Sequence, residues 1–97
     1  MDLNLKGKKA FVAGGSRGMG KAIAKVLAEE GVDVAIAARD IERLENAAND
    51  IRKNTSTKVV PISFDTGDKE SVDSAIKNAH SELGGIDILI NSAAIPN

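Results

Sequence analysis

At 97 residues the chain is long enough for one domain and too short for a second core. Thirteen Lys and Arg against 14 Asp and Glu leave a formal net charge of −1, the aromatic residues are two Phe, and there is no Cys. This composition excludes a basic field for nucleic acid or an acidic membrane, disulfides, thiolate nucleophiles and zinc–thiolate sites, and leaves stacking platforms for single strands nearly absent.

Ala10-Phe11-Val12-Ala13 is an apolar run that ends in a glycine cluster, as a buried strand entering a tight turn does. After Gly20, apolar residues at Ile23, Val26 and Leu27, with Ala22 and Ala28 filling in, predict a first helix closed by Gly31. Val32 to Ala38 is a second strand, apolar except for Asp33. Asp40 is a suitable N-cap for a second helix striped at Ile41, Leu44, Ala47, Ala48 and Ile51, and the polar stretch Asn54 to Thr57 closes it. Val59 to Phe64 is a third strand; Pro61 cannot donate to a ladder, so this strand belongs at a sheet edge. Asp68 caps a third helix striped at Val72, Ala75, Ile76, Ala79 and Leu83, which Gly84-Gly85 stops. Ile86 to Ile90 is a fourth strand, interrupted by Asp87, and Asn91 to Asn97 is a tail of small residues containing Pro96.

The β-α-β-α-β-α-β pattern predicts an α/β fold with a parallel sheet and right-handed crossovers, one partial Rossmann-type domain over residues 1–97. The strand order of such a half, 3-2-1-4, puts strand 3 at an edge, where Pro61 independently places it. The polar segment Met1 to Lys9 and the lack of any apolar run of about 18–20 residues predict a soluble, cytoplasmic protein.

Three motif templates touch the glycine cluster. Gly14 to Gly18 fits G-x-S-x-G, the nucleophile elbow of hydrolases, with Ser16 as nucleophile. That reading needs a His base, and His80, near the end of the third helix, reads as a partly solvated helix residue. Gly15 to Lys21 fits most of a P-loop, with Asp65 as a possible acidic magnesium ligand. Its next residue must be Ser or Thr, whereas Ala22 offers no ligand, so Lys21 reads as a solvated first-turn residue. Gly14, Gly18 and Gly20 form G-x-x-x-G-x-G, a spacing used around dinucleotide pyrophosphates, at a helix start that favours an anion. An acid at the end of strand 2 selects a free ribose 2′-hydroxyl and a base selects a 2′-phosphate. Here that place holds Ala38-Arg39, so the expected cofactor is NADP rather than NAD, with Arg17 as a second cation.

With these landmarks the chain resembles the short-chain dehydrogenases/reductases over nearly its whole length. The family's Thr-Gly-x-x-x-Gly-x-Gly turn stands here as Ala13-Gly14-Gly15-Ser16-Arg17-Gly18-Met19-Gly20. The family's Asp after strand 3 stands in Phe64-Asp65-Thr66, and its Asn-Asn-Ala-Gly after strand 4 stands as Asn91-Ser92-Ala93-Ala94. The resemblance implies that Gly14 allows the turn, Gly18 lets the backbone approach the pyrophosphate, and Gly20 lets the helix pack close to the sheet. It also implies that Asp65 accepts from the adenine amino group beside a backbone N–H at Thr66, and that Asn91, Ser92, Ala93 and Ala94 wall the riboses. Ala13, Ser92 and Ala94 depart from the family's Thr, Asn and Gly.

The resemblance further implies hydride transfer between nicotinamide and an alcohol or carbonyl carbon, on a small-molecule substrate. The family's catalytic Ser, Tyr and Lys lie beyond strand 4, and the chain contains no Tyr, so no catalytic residue is assigned and the chain alone is expected to be inactive. A non-catalytic nucleotide-binding module is the alternative, and an ATP-binding P-loop the more remote one. The chain reads as an N-terminal half. In such a half the first two helices share one face of the sheet and the third takes the other. Strand 4 is then left as an edge, which predicts self-association or a homo-oligomer.

Overall fold

A computed structural model of the chain describes residues 5–14, 18–65 and 67–91. The apolar runs become strands β1 (Lys9–Ala13), β2 (Asp33–Ala38), β3 (Val59–Ser63) and β4 (Ile88–Asn91). Helices α1 (Gly18–Glu29), α2 (Ile41–Arg52) and α3 (Lys69–Leu83) alternate with them. All pairings are parallel and the order across the sheet is β3-β2-β1-β4. The expected α/β architecture and strand order are therefore the observed ones.

Alternation along the strands divides the interior in two. Ala10, Val12, Val34 and Ile36 meet Ala24 and Ala28 of α1 and Leu44, Ala47, Ala48 and Ile51 of α2 on one face. Phe11, Ala13, Ala35, Ala37 and Ile62 meet Ala75, Ala79 and Leu83 of α3 on the other, where Phe11 and Phe64 pack edge-to-face with centroids 6.2 Å apart. A fully buried side chain such as Leu44 or Ile36 contributes about 1.5–3 kcal/mol to this packing.

The α1 stripe differs from the expected one. Its buried residues are Gly20, Ala24 and Ala28, Ile23 and Leu27 are half-buried, and Val26 is 55% exposed. Small residues every fourth position let the helix axis lie close to the sheet, and that gain in contact rotates the larger side chains to the flanks. Ile41, expected in the α2 stripe, is likewise exposed, because it starts the helix before the helix reaches the sheet face. Strand β4 begins later than Ile86, although Asp87 N–H already donates to Lys9 O at 2.7 Å.

Caps fall where expected. Asp68 accepts from Glu70 N–H and Ser71 N–H, Asp40 accepts from Arg43 N–H, and Gly84 ends α3 in the left-handed conformation. Pro61 lies on the edge strand opposite Ile36. Val34 N–H donates to Lys58 O and Phe64 N–H to Ala38 O, so even-numbered residues of β3 bond inward and the Pro61 nitrogen faces outward, where no ladder partner is lost.

The N-terminal ends of the strands are tied by charge. Lys9 Nζ meets Asp33 Oδ2 at 2.5 Å, and the other oxygen of Asp33 accepts from Lys58 N–H. Asp87 Oδ2 accepts from Lys9 N–H, and Lys58 Nζ donates to Glu82 O at the end of α3. Burial raises the Asp33 pKa, but the Lys9 hydrogen bond, the Lys58 N–H and both lysine charges outweigh it and hold the carboxyl below its ordinary value.

Candidate functional site

The opposite, C-terminal ends of the strands carry the candidate residues. Ala13 stands in register with both Ala37 of β2 and Asn91 of β4, so the turn leaving β1 starts at the point where strand order reverses. Gly14 adopts φ +84° and its N–H donates to Ala37 O at 2.6 Å, which extends the ladder by one bond. Gly18 opens α1 with φ +61°, and a Cβ added there meets nothing within 4 Å. The first turn of α1 holds no acidic residue. The N–H groups of this first turn and the positive end of the helix dipole suit an anion, and the Asp50 carboxylate that lines the same groove as Gly18 is already paired with Lys21. Met19 is exposed and Gly20 is buried. Ser16 and Arg17 lie outside the described residues.

The ends of β2 and β3 form the second part. Ala38 is half-buried against the core, and the Arg39 side chain is 80% exposed. Ser63 Oγ donates to Arg39 O at 3.3 Å, tying the β2–α2 connection to the end of β3. Asp65 is held from two sides: its N–H donates to Ser71 Oγ of α3, and its Oδ1 accepts from Gly67 N–H, both at 2.9 Å. Asp65 Oδ2 then lies 3.8 Å from Arg39 Nη2. The structure thus brings together Arg39 and Asp65, assigned separately to a phosphate and to an adenine. Asn91 is exposed at the end of β4; Thr66, Ser92, Ala93 and Ala94 lie outside the described residues.

Two side chains the sequence reading missed support this arrangement, Ser63 and Ser71. Each is a hydroxyl beside a chemically plausible residue, but its partner is set by which loops become neighbours.

Lys21 is not simply solvated. Its Nζ meets Asp50 Oδ2 of α2 at 2.6 Å across the α1–α2 groove, which Gly18, Ala22, Lys25 and Ile51 also line. The Lys21 hydrogen bond and charge, with lesser help from Lys53 and Lys25, hold the Asp50 carboxyl below its ordinary range. The amine that a P-loop reading would aim at a phosphate is engaged with a neighbouring helix. His80 is exposed on α3, and its carbonyl accepts the capping N–H of Gly84. Among the described residues no helix is long and apolar enough to cross a membrane.

Known proteins carry the same pattern. The short chain dehydrogenase family model matches residues 8–97. An uncharacterised oxidoreductase of Staphylococcus aureus (strain USA300) is 48% identical over 89 residues, which are 92% of this chain and 37% of that protein. L-sorbose reductase from Gluconobacter frateurii, solved with NADPH and L-sorbose, superposes with a TM-score of 0.93 at 35% identity, over 100% of this chain and 37% of its own. A short chain dehydrogenase from Burkholderia cenocepacia J2315, solved with NADP, gives a TM-score of 0.87 at 41% identity, over 94% of this chain and 37% of its own. The chain spans little more than a third of the length of these relatives. A parallel sheet in the order β3-β2-β1-β4, a glycine turn at its switch point and a family match from residue 8 to residue 97 establish that the chain belongs to the short-chain dehydrogenases, a family of oxidoreductases.

Proposed function

We propose that this chain forms the adenosine- and pyrophosphate-holding part of an NADP-dependent short-chain oxidoreductase. The bound cofactor would supply the hydride exchanged with an alcohol or carbonyl carbon of a small-molecule substrate. Gly14, Ser16, Gly18 and Met19 hold the pyrophosphate against the start of α1, and Gly20 lets that helix pack close to the sheet. Asp65 and Thr66 receive the adenine, and Asn91, Ser92, Ala93 and Ala94 flank the riboses. Ala38 and Arg39, with Arg17 as a second cation, select the 2′-phosphate. The observation that carries the NADP choice is Arg39, a guanidinium 80% exposed at the end of β2, where Ala38 supplies no carboxylate for a 2′-hydroxyl. The NADPH- and NADP-bound relatives support the same choice. These 97 residues hold no Tyr, and the proposal assigns them cofactor binding rather than turnover.

The test is a titration of the chain with NADPH, with NADH and Mg-ATP as competitors. NADPH binding ahead of both supports the reading. Preference for NADH refutes the role of Arg39, and preference for Mg-ATP refutes the dinucleotide site.

A further inference from the structure

Arg39 and Asp65 are placed to interfere with one another. Their strands are neighbours, with Ala38 opposite Ser63, and each backbone is fixed by a hydroxyl from a different element, Ser63 for Arg39 and Ser71 for Asp65. The Asx turn to Gly67 orients the Asp65 carboxylate further, leaving Oδ2 toward the guanidinium at 3.8 Å. Both side chains are substantially exposed, at 80% and 48%, so the ion pair is weak and exchangeable rather than structural.

On the reading of Arg39 as the 2′-phosphate's partner, we propose that Asp65 is a specificity-determining residue that moderates the preference for NADP over NAD. A cofactor with a 2′-phosphate must draw Arg39 away from Asp65 and must also bring its own negative charge near the carboxylate. A cofactor with a free 2′-hydroxyl does neither, and leaves the pair as it stands. The phosphate still wins Arg39, because it offers more charge and a second oxygen for the planar fork. What it gains is reduced by what the carboxylate held. Two unit charges about 4 Å apart in water shift an equilibrium by about fivefold, which sets the scale of the effect.

The experiment measures NADPH and NADH affinity, by quenching or enhancement of reduced-nicotinamide fluorescence, for the chain and for Asp65→Asn, Arg39→Gln and the double variant. Asparagine keeps an oxygen for Gly67 N–H and removes the charge; Asp65→Ser, also able to accept from Gly67, is the second variant. The NADPH-to-NADH preference is expected to rise about three- to fivefold in Asp65→Asn. The rise should shrink at raised ionic strength and be smaller when Arg39 is already Gln. In the ligand-free chain, Asp65→Asn should shift the Arg39 side-chain Nε–H resonance. An unchanged or lowered preference in both Asp65 variants, with Arg39→Gln still abolishing the preference, overturns the inference and leaves the cofactor reading standing. If Arg39→Gln leaves the preference intact, the cofactor reading falls and the inference with it.

Discussion

Replacing Gly18 by alanine separates what the glycine does for the fold from what it does for the ligand. Gly18 has φ +61°, a conformation in which a Cβ costs about 1 kcal/mol relative to glycine. No neighbour lies within 4 Å of that Cβ, so no clash is added to the strain. For a domain of this size about 1 kcal/mol lowers Tm by about 4–8 °C. The methyl would stand in the open space above the start of α1, where the backbone is proposed to touch the pyrophosphate. Losing one charge-assisted hydrogen bond there costs about 1.5–3 kcal/mol, or roughly tenfold to a hundredfold in NADPH affinity. Gly84→Ala is the control: it has φ +83° and equally open surroundings, but caps the far end of α3. It should lower Tm as much and leave NADPH binding alone. Thermal unfolding and NADPH titration on both variants read the two quantities separately. Undiminished NADPH affinity in folded Gly18→Ala would refute the close approach, and a stability loss of about 3 kcal/mol or more would refute the open cradle.

Two further outcomes are expected. Because the folded-state pKa of Asp33 lies below its ordinary 3.8, the carboxylate contributes stability that is present above that pH and is lost as pH falls through the folded value. Asp33→Asn should therefore flatten the acid limb of a stability–pH profile and cost about 1 kcal/mol near neutrality; an unchanged acid limb would sink this account. On β4, Leu89 is 63% exposed and Ile88 and Ile90 turn their N–H and C=O groups away from β1, so the 97-residue chain should self-associate through this edge. Light scattering should show the association weakening in Leu89→Lys, and a monomer at every concentration of the unaltered chain would rule the edge out.

How much the sequence disclosed depended on whether a residue's role is local. Pro61, Asp68, Gly84 and the apolar runs act on the backbone or pattern of their own segment, so strand order, caps and the edge position of β3 were legible. The phase of α1 was not, because hydrophobicity points to Ile23, Val26 and Leu27, whereas contact with the sheet selects the small side chains of Gly20, Ala24 and Ala28. Asp33 and Asp87 looked like interruptions of apolar strands. They are the acids that bind Lys9 from either side at the start of the sheet, a role that exists only once β1 lies between β2 and β4. Arg39 and Asp65 were each found by position along the chain, but their contact, like that of Lys21 with Asp50, is a product of loop and helix packing.

The two ends of the sheet divide the work. At the N-terminal end, Lys9, Asp33, Lys58 and Asp87 interlock by short charge-assisted bonds between strands that are adjacent in space and distant in sequence. At the C-terminal end the equivalent positions hold glycines with positive φ, a half-exposed carboxylate and an exposed guanidinium, none of which can strengthen the core. The outer edge of β3 is closed as well: Pro61 brings no donor and Arg52 Nη2 donates to the outward carbonyl of Val59. Strand pairing is thus fixed from below and from one side, by groups remote from the proposed ligand. That leaves Gly14, Gly18, Arg39 and Asp65 free to be chosen for what they present rather than for what they stabilise. A site assembled this way tolerates changes of specificity at Arg39 or Asp65 at little cost to folding, because the exposed ion pair they share is worth about 1 kcal/mol or less.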